Sequence, residues 1–363
     1  MIESNLRRTC ALLLVIALLG AGCAGSGDAD GSGASADATS AATLEAKTTE
    51  AVDDEEAVGD EENAGEAAAA PDVRVVETMF GSFEIPADPQ RIVVLDPVIA
   101  LPTALDLGAP VIATQASVQG RPATTLVTEE EWAGLDILGL TGEANLEAIA
   151  AADPDLILSS PSTEQEFSLH AQIAPSVPLV LTNVWQDDSR LAAASLGREE
   201  EMEVLLDAYT DRADAVAARL DDELGDPAVA VVRIRPDSIR VHTSVHFAGN
   251  ILDDVGLRMP EEWVRTPLED PVANLQQRLV RISPEQLGML DTADHLIVLA
   301  QGTPSQSEDD VAAAFEEVTG GDLWQTLPAV QAGNVHLVEG YWLAGSLRAA
   351  TLAVDDVERL LLS

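Results

Sequence analysis

The 363-residue sequence holds two cysteines, Cys10 and Cys23, and none beyond them. Everything after residue 23 therefore lacks disulfides, thiolate metal sites and cysteine nucleophiles. Lysine is scarcer still: Lys47 is the only one, so the later cations are arginines and histidines. Nineteen Lys and Arg stand against 63 Asp and Glu, a net charge of −44. No basic stripe exists to neutralise phosphates, which excludes a nucleic-acid surface. Aromatic residues make up 3% of the chain. No GxGxxG, P-loop, GxSxG or HExxH motif is present. Without a thiol, a nucleophile–base pair or a clustered metal set, the residues give no support to an enzyme, and no cofactor is expected.

The N-terminus reads as a targeting segment, a signal peptide over residues 1–22. Arg7 and Arg8 form a basic start, and Ala11 to Leu19 is an apolar run of nine residues. That is too short for a bilayer, which takes ~20. Leu19-Gly20-Ala21-Gly22-Cys23 resembles a bacterial lipobox, so Cys23 is the expected lipidation site and membrane anchor. Residues 24–70 carry 13 acids against one base, Lys47, and no aromatic. Such a segment cannot bury enough apolar surface to offset its ordering entropy, and residues 23–71 are expected to be a disordered acidic tether.

About 290 residues follow from residue 72, more than one average core, so two lobes are expected. In the first (90–190), apolar runs at Arg91–Asp96, Pro110–Thr114, Asp136–Leu140, Asp155–Leu158 and Pro178–Thr182 alternate with helical patterns. This predicts βα units and a parallel sheet covered on both faces. Over 198–224 the pattern changes: Met202, Leu205, Leu206, Tyr209, Ala213, Val216 and Leu220 fall at helical spacing with no Pro or Gly between. One helix of ~40 Å is predicted, a spine between the lobes. The βα rhythm resumes over 226–363, with strands at Val229–Ile234, His295–Ala300 and Val335–Val338, and helices at Phe247–Val255, Ser283–Leu290 and Ala349–Leu362.

One template occurs in both halves, 138 residues apart: Asn145-Leu-Glu147 running to Asp155-Leu-Ile-Leu158, and Ser283-Pro-Glu285 running to Asp294-His-Leu-Ile-Val-Leu299. Asn145 and Ser283 read as helix N-caps, with Pro284 at the first helical position and Gln286 completing a capping box. Glu147 and Glu285 fall in the first turn, where a carboxylate complements the helix dipole by ~0.3–1 kcal/mol. Their recurrence at one offset also predicts a matched pair of exposed acids, one per lobe.

With these pieces placed, residues 90–363 resemble the iron–siderophore and vitamin B12 class of periplasmic binding proteins. The most specific stretch is Gly142-Glu-Ala-Asn-Leu-Glu147 through Leu158, with further matches at Arg91–Leu95, Phe247–Leu257 and Ile282–Leu287. The resemblance implies an α/β fold of two Rossmann-like lobes joined by one long helix, with a ligand cleft between them. It implies a lipid-anchored, monomeric solute-binding protein on the outer face of the cell membrane. Such a protein would capture a ferric siderophore and deliver it to an ABC permease, whose arginines would meet Glu147 and Glu285. Val231-Val-Arg-Ile-Arg235 is most similar to the ferric-siderophore branch.

Ligand groups in such a fold come from the carboxyl ends of the strands. A ferric siderophore is large, often anionic and partly apolar, and calls for arginines and aromatics. Arg121, Trp185, Arg233, Arg235, Tyr341 and Trp342 follow or end predicted strands and are the candidate ligand residues. His170, His242, His246, His295 and His336 offer only one close pair, His242 and His246, with no third ligand, so iron is expected to be held by the chelator. The competing readings are a corrinoid or haem carrier of the same architecture, a secreted two-lobed lipoprotein enzyme, and a non-transporting surface lipoprotein.

Overall fold

The computed structural model describes residues 72–78, 80–116, 126–141, 145–160, 164–179, 184–266, 277–302 and 306–362. The signal segment, Cys23, the acidic tether and Arg121 lie outside the described residues. Residues 67–363 form one compact unit.

A hairpin of β1 (Val73–Thr78) and β2 (Gly81–Pro86) precedes the first lobe. Arg74 holds it down. Its guanidinium donates to the carbonyls of Ala194 and Pro86 and lies 3.8 Å from the Glu199 carboxylate. Gly197 makes the close approach possible, since a Cβ there would sit 3.3 Å from that guanidinium and φ is +67°.

The first lobe contains β3 (Ile92–Val94), α1 (Ala100–Asp106), β4 (Val111–Ala116), α2 (Glu129–Ala133), β5 (Asp136–Leu140), α3 (Leu146–Ala151), β6 (Leu156–Ser159), α4 (Glu164–Ala171) and β7 (Ser176–Pro178). The sheet is wholly parallel, in the order β5-β4-β3-β6-β7. Both faces are covered, as its unbroken apolar runs require. Ile92, Val94, Leu156 and Leu158 point into the large common core. Val93, Leu95, Ile157, Ile149 and Ala174 make a second, smaller one under α3 and α4.

α5 (Trp185–Leu196) then leads into α6 (Glu199–Leu224), the predicted spine. Its 26 residues span ~39 Å at 1.5 Å per residue. Met202, Leu206, Tyr209, Ala213, Val216 and Leu220 form its buried stripe.

The second lobe contains β8 (Val229–Arg235), β9 (Ser238–His242), α7 (Phe247–Asp254), β10 (Leu279–Ile282), β11 (His295–Ala300), α8 (Glu308–Gly320), α9 (Asp322–Thr326), α10 (Pro328–Gln331), β12 (Val335–Leu337) and α11 (Leu347–Leu361). Its sheet runs β10-β9-β8-β11-β12. Position by position this matches the first lobe, with one reversal. β9 is antiparallel to both its neighbours, because β8 turns directly at Pro236-Asp237 where β3 passes through a helix before β4. That hairpin adds a strand, β9, to the βα pattern read from the sequence. The segment Pro284–Leu290 is a 3₁₀ helix rather than an α-helix. It is short and carries Gly288 in its interior, which weakens α-helix formation. α6 and α11 pack on each other, with α1, α5 and α7 beside them in one core shared by both lobes.

Candidate functional site

The second lobe gathers positive charge. Arg233 on β8 pairs with Arg240 on β9, and Arg240 pairs with Arg281 on β10, so three arginines stand side by side across three strands. Register partners share a sheet face, and Arg235 lies on that face by alternation. Like charges directly opposed in a sheet are unfavourable. Burial, then Arg235 and Arg240, lower the Arg233 guanidinium to about 10. Its Nε is buried with no hydrogen-bond partner among the described residues. Asp237 in the turn is the nearby counter-charge, 3.1 Å from Arg235 Nε. Arg235 and Arg281 also line a cavity of about 720 Å³ with Ile282, Leu287, Val318 and Trp324. That volume lies within the usual range of small-molecule sites. In a chain of net charge −44 this face concentrates positive charge.

Behind the row, His242 and His246 are hydrogen-bonded through their Nδ1 atoms at 3.0 Å. The Ala248 backbone N–H donates to His246 Nδ1, so that atom is bare and His242 supplies the shared proton. Burial, with Arg278 and Arg233, holds His246 down at about 3. The pair is therefore neutral and caps α7. Gly249 lets that helix sit so close: a Cβ there would lie 2.4 Å from the Thr243 carbonyl oxygen. Among the described residues no group of three or more His, Cys, Asp or Glu is arranged to hold a metal.

The first lobe contributes acids where its described strands end. Ser160 donates to Asp96 at 2.8 Å, and both border a cavity of only about 20 Å³ with Asp188. That is room for one water.

Two of the three aromatic candidates are not displayed for a ligand. Trp185 opens α5 and is buried, its indole N–H donating to Asp254 at 3.2 Å and its ring edge-on to Tyr209. Trp342 is fully buried and donates to Asp356 at 3.0 Å, the same carboxylate that accepts from the Tyr341 hydroxyl. Burial and Asp356 raise the Tyr341 phenol well above its ordinary range. The expectation that these residues offer ring area to a ligand is corrected for Trp185 and Trp342, and the Tyr341 hydroxyl is already committed. A buried indole needs an acceptor, and Asp254 and Asp356 supply it. Arg240 and Arg281 were missed in the sequence because β9 and β10 were not recognised as strands. The signal was the alternation Arg233-x-Arg235, a Pro-Asp turn, then Arg240-x-His242.

Glu147 and Glu285 are both exposed. Each lies in the first helical turn after the carboxyl end of its lobe's edge strand, β5 or β10. Asn145 caps Ala148 N–H at 3.0 Å, and the Ser283 N–H donates to Gln286 at 3.0 Å. The Ser283 hydroxyl holds the Glu285 carboxyl below the usual carboxylate range. The repeat extends to the closing aspartates. Asp155 accepts from the Gln90 and Arg91 backbone N–H groups ahead of β3, and Asp294 accepts from Ala228 N–H ahead of β8.

Comparisons with known proteins agree with this architecture. A family model described as a periplasmic binding protein matches residues 102–340. Among curated proteins, the "Probable siderophore-binding lipoprotein YfiY" of Bacillus subtilis is 28% identical over 290 residues, 78% of this chain and 86% of that one. An achromobactin-binding periplasmic protein of Dickeya dadantii is 27% identical, covering 75% of this chain and 86% of its own. Among solved structures, Staphylococcus aureus SirA complexed with staphyloferrin B superposes with a TM-score of 0.67 at 26% identity, covering 80% of this chain and 98% of SirA. With two matched α/β lobes on a single long helix, the chain belongs to the periplasmic binding protein family.

Proposed function

We propose that the protein is a solute-binding protein that captures an anionic ferric siderophore on the arginine face of its second lobe and delivers it to an ABC permease. The observation that carries this reading is the row Arg233–Arg240–Arg281, three cations in register across three strands, with Arg281 and the neighbouring Arg235 lining a cavity of about 720 Å³. An iron chelate presenting carboxylate or catecholate oxygens would neutralise the row through charge-assisted hydrogen bonds, and arginine suits such planar oxyanions. The names of the relatives support the cargo class: a siderophore-binding lipoprotein, an achromobactin-binding protein and a staphyloferrin B complex. In this reading the iron is cargo, its coordination filled by the chelator.

Delivery rests on Glu147 and Glu285. Two exposed carboxylates at equivalent places in the two lobes fit a partner with two equivalent basic contacts, one on each permease subunit. Anchoring rests on Cys23, with the acidic segment after it as the tether, which would keep a monomer near the outer face of the membrane.

Calorimetric titration of the protein with ferric carboxylate, catecholate and hydroxamate siderophores, cobalamin and haem tests the cargo. The reading predicts binding of at least one anionic ferric siderophore at micromolar affinity or better. Binding of cobalamin or haem alone would move the cargo to a macrocycle. No binding by any of them would remove the proposal.

A further inference from the structure

The lobes are joined by more than the spine. Arg348, in the first turn of the C-terminal helix α11, directs its hydrogen bonds into the first lobe. Its Nε donates to Asp106 at 2.6 Å, its Nη1 to the Leu126 carbonyl at 2.8 Å and to Glu131 at 2.9 Å, and its Nη2 to Glu131 at 2.7 Å. Glu131 is also held within its own lobe. Glu131 completes a capping box, its Oε2 accepting from Thr128 N–H at 2.8 Å and from the Thr128 hydroxyl at 3.0 Å. Asp106 is the last residue of α1. Hydrogen bonding to Arg348 holds the Glu131 carboxyl at about 2. α11 is itself fixed in the common core by Ala349, Ala350, Ala353, Val354 and Val357, all buried.

A second tie lies elsewhere on the first lobe. Asp254, at the end of α7, accepts from Trp185 and Gln186 of α5 at 3.2 Å, and from Tyr209 of the spine at 2.7 Å. The two ties grip opposite edges of the first sheet. A helix that crosses between parallel strands starts at the carboxyl edge and ends at the amino edge. Asp106 ends such a helix and Glu131 precedes β5, so Arg348 grips the amino edge. Trp185 follows β7 and starts α5, so Asp254 grips the carboxyl edge, where ligand groups are expected.

We infer that Arg348 is a positioning residue that fixes the angle between the lobes from the edge remote from the ligand. One tie leaves rotation about itself, whereas two ties on opposite edges remove it. Loss of Arg348 leaves only the apolar packing of α11 on α1 at the amino edge, which lets that edge move while Asp254 holds the other. The inference holds whatever the cargo, and its test is read on unliganded protein, so it can fail independently of the siderophore reading.

The test is a spin-label distance measurement on the full chain with Cys10→Ser and Cys23→Ser, labelled at Ala150→Cys on α3 and Glu316→Cys on α8. Both positions are exposed and neither contacts a tie. The expected result is a narrow distribution for the parent and one broadened about twofold for Arg348→Met, with Arg348→Lys between them. Arg219→Met, which removes an ion pair between α6 and α11 that does not reach the first lobe, leaves the distribution unchanged. If Arg348→Met fails to fold, Asp106→Asn and Glu131→Gln each remove one partner and are read the same way. An unchanged distribution in folded Arg348→Met, or in both substitutes, would show that the cluster contributes stability alone and would overturn the inference.

Discussion

Replacing Arg233 with methionine should make the unliganded protein more stable and a worse binder. The guanidinium is half-buried, faces Arg240 across the strand pair and has an unpartnered Nε. Its pKa, near 10 instead of about 12.5, measures how much the folded state disfavours the charge. At ~1.4 kcal/mol per tenfold change this is at most ~3.5 kcal/mol, and relaxation and solvent screening of the partly exposed group bring it to ~1–2 kcal/mol. The sign follows from the direction of the shift. A base whose folded pKa is depressed carries its full penalty below the folded value and sheds it only as the pH rises between the two, so at neutral pH the whole penalty applies. Methionine keeps most of the volume and removes the charge. Melting should rise by ~2–4 °C per kcal/mol gained. A charge-assisted hydrogen bond to an anionic chelate is worth ~1.5–3 kcal/mol, so affinity should fall ~10- to 100-fold. Scanning calorimetry of the unliganded protein and titration with the best-binding ferric siderophore measure the two effects. A lower melting temperature with unchanged affinity would mean that Arg233 is an ordinary structural residue, and the argument from like-charge crowding would be refuted.

Other outcomes follow from the same geometry. Glu147→Lys with Glu285→Lys should abolish uptake of the ferric siderophore in cells while leaving the affinity measured by titration unchanged; normal uptake would remove both from the docking role. Asp254→Ala orphans the Trp185, Gln186 and Tyr209 donors and should cost ~3–6 kcal/mol by denaturant unfolding, at ~1–2 kcal/mol per stranded group; a loss below ~1 kcal/mol would show that water satisfies them. Glu131 is held at about 2 in the folded state, so its contribution is present above pH ~4.3 and fades as the pH falls through ~2. The stability gap between the protein and Glu131→Gln should therefore narrow over that window, and a gap independent of pH would exclude the ion pair as its source. Arg74→Ala should free the N-terminal hairpin, seen as faster amide exchange over residues 73–86 with the rest of the chain unaffected.

The repeat was the most legible feature of the sequence, because it is written in residue types that caps and strand ends demand. Asn145 and Ser283 cap, Glu147 and Glu285 follow in the first turn, and Asp155 and Asp294 fasten the inner strand to its neighbour. The spine was legible for a different reason: nothing between Glu199 and Leu224 breaks a 3.6-residue period. The second lobe was less so. A two-residue turn at Pro236-Asp237 reverses β9, and that short strand, with Arg240 and His242 on one face, was not recognised from the sequence. The aromatics misled because proximity to a strand end says nothing of direction. Trp185 and Trp342 turn inward to meet Asp254 and Asp356, acids that lie 69 and 14 residues away in sequence. Arg348 gave no local signal at all, since its partners are 217 and 242 residues distant.

The arginine row is tested most directly by a crystal structure of the protein soaked or grown with the ferric siderophore that titrates most tightly. Chelate oxygens should lie within hydrogen-bonding distance of Arg233 and of Arg240 or Arg281. A well-ordered chelate bound elsewhere, with all three guanidinium groups untouched, would contradict the account.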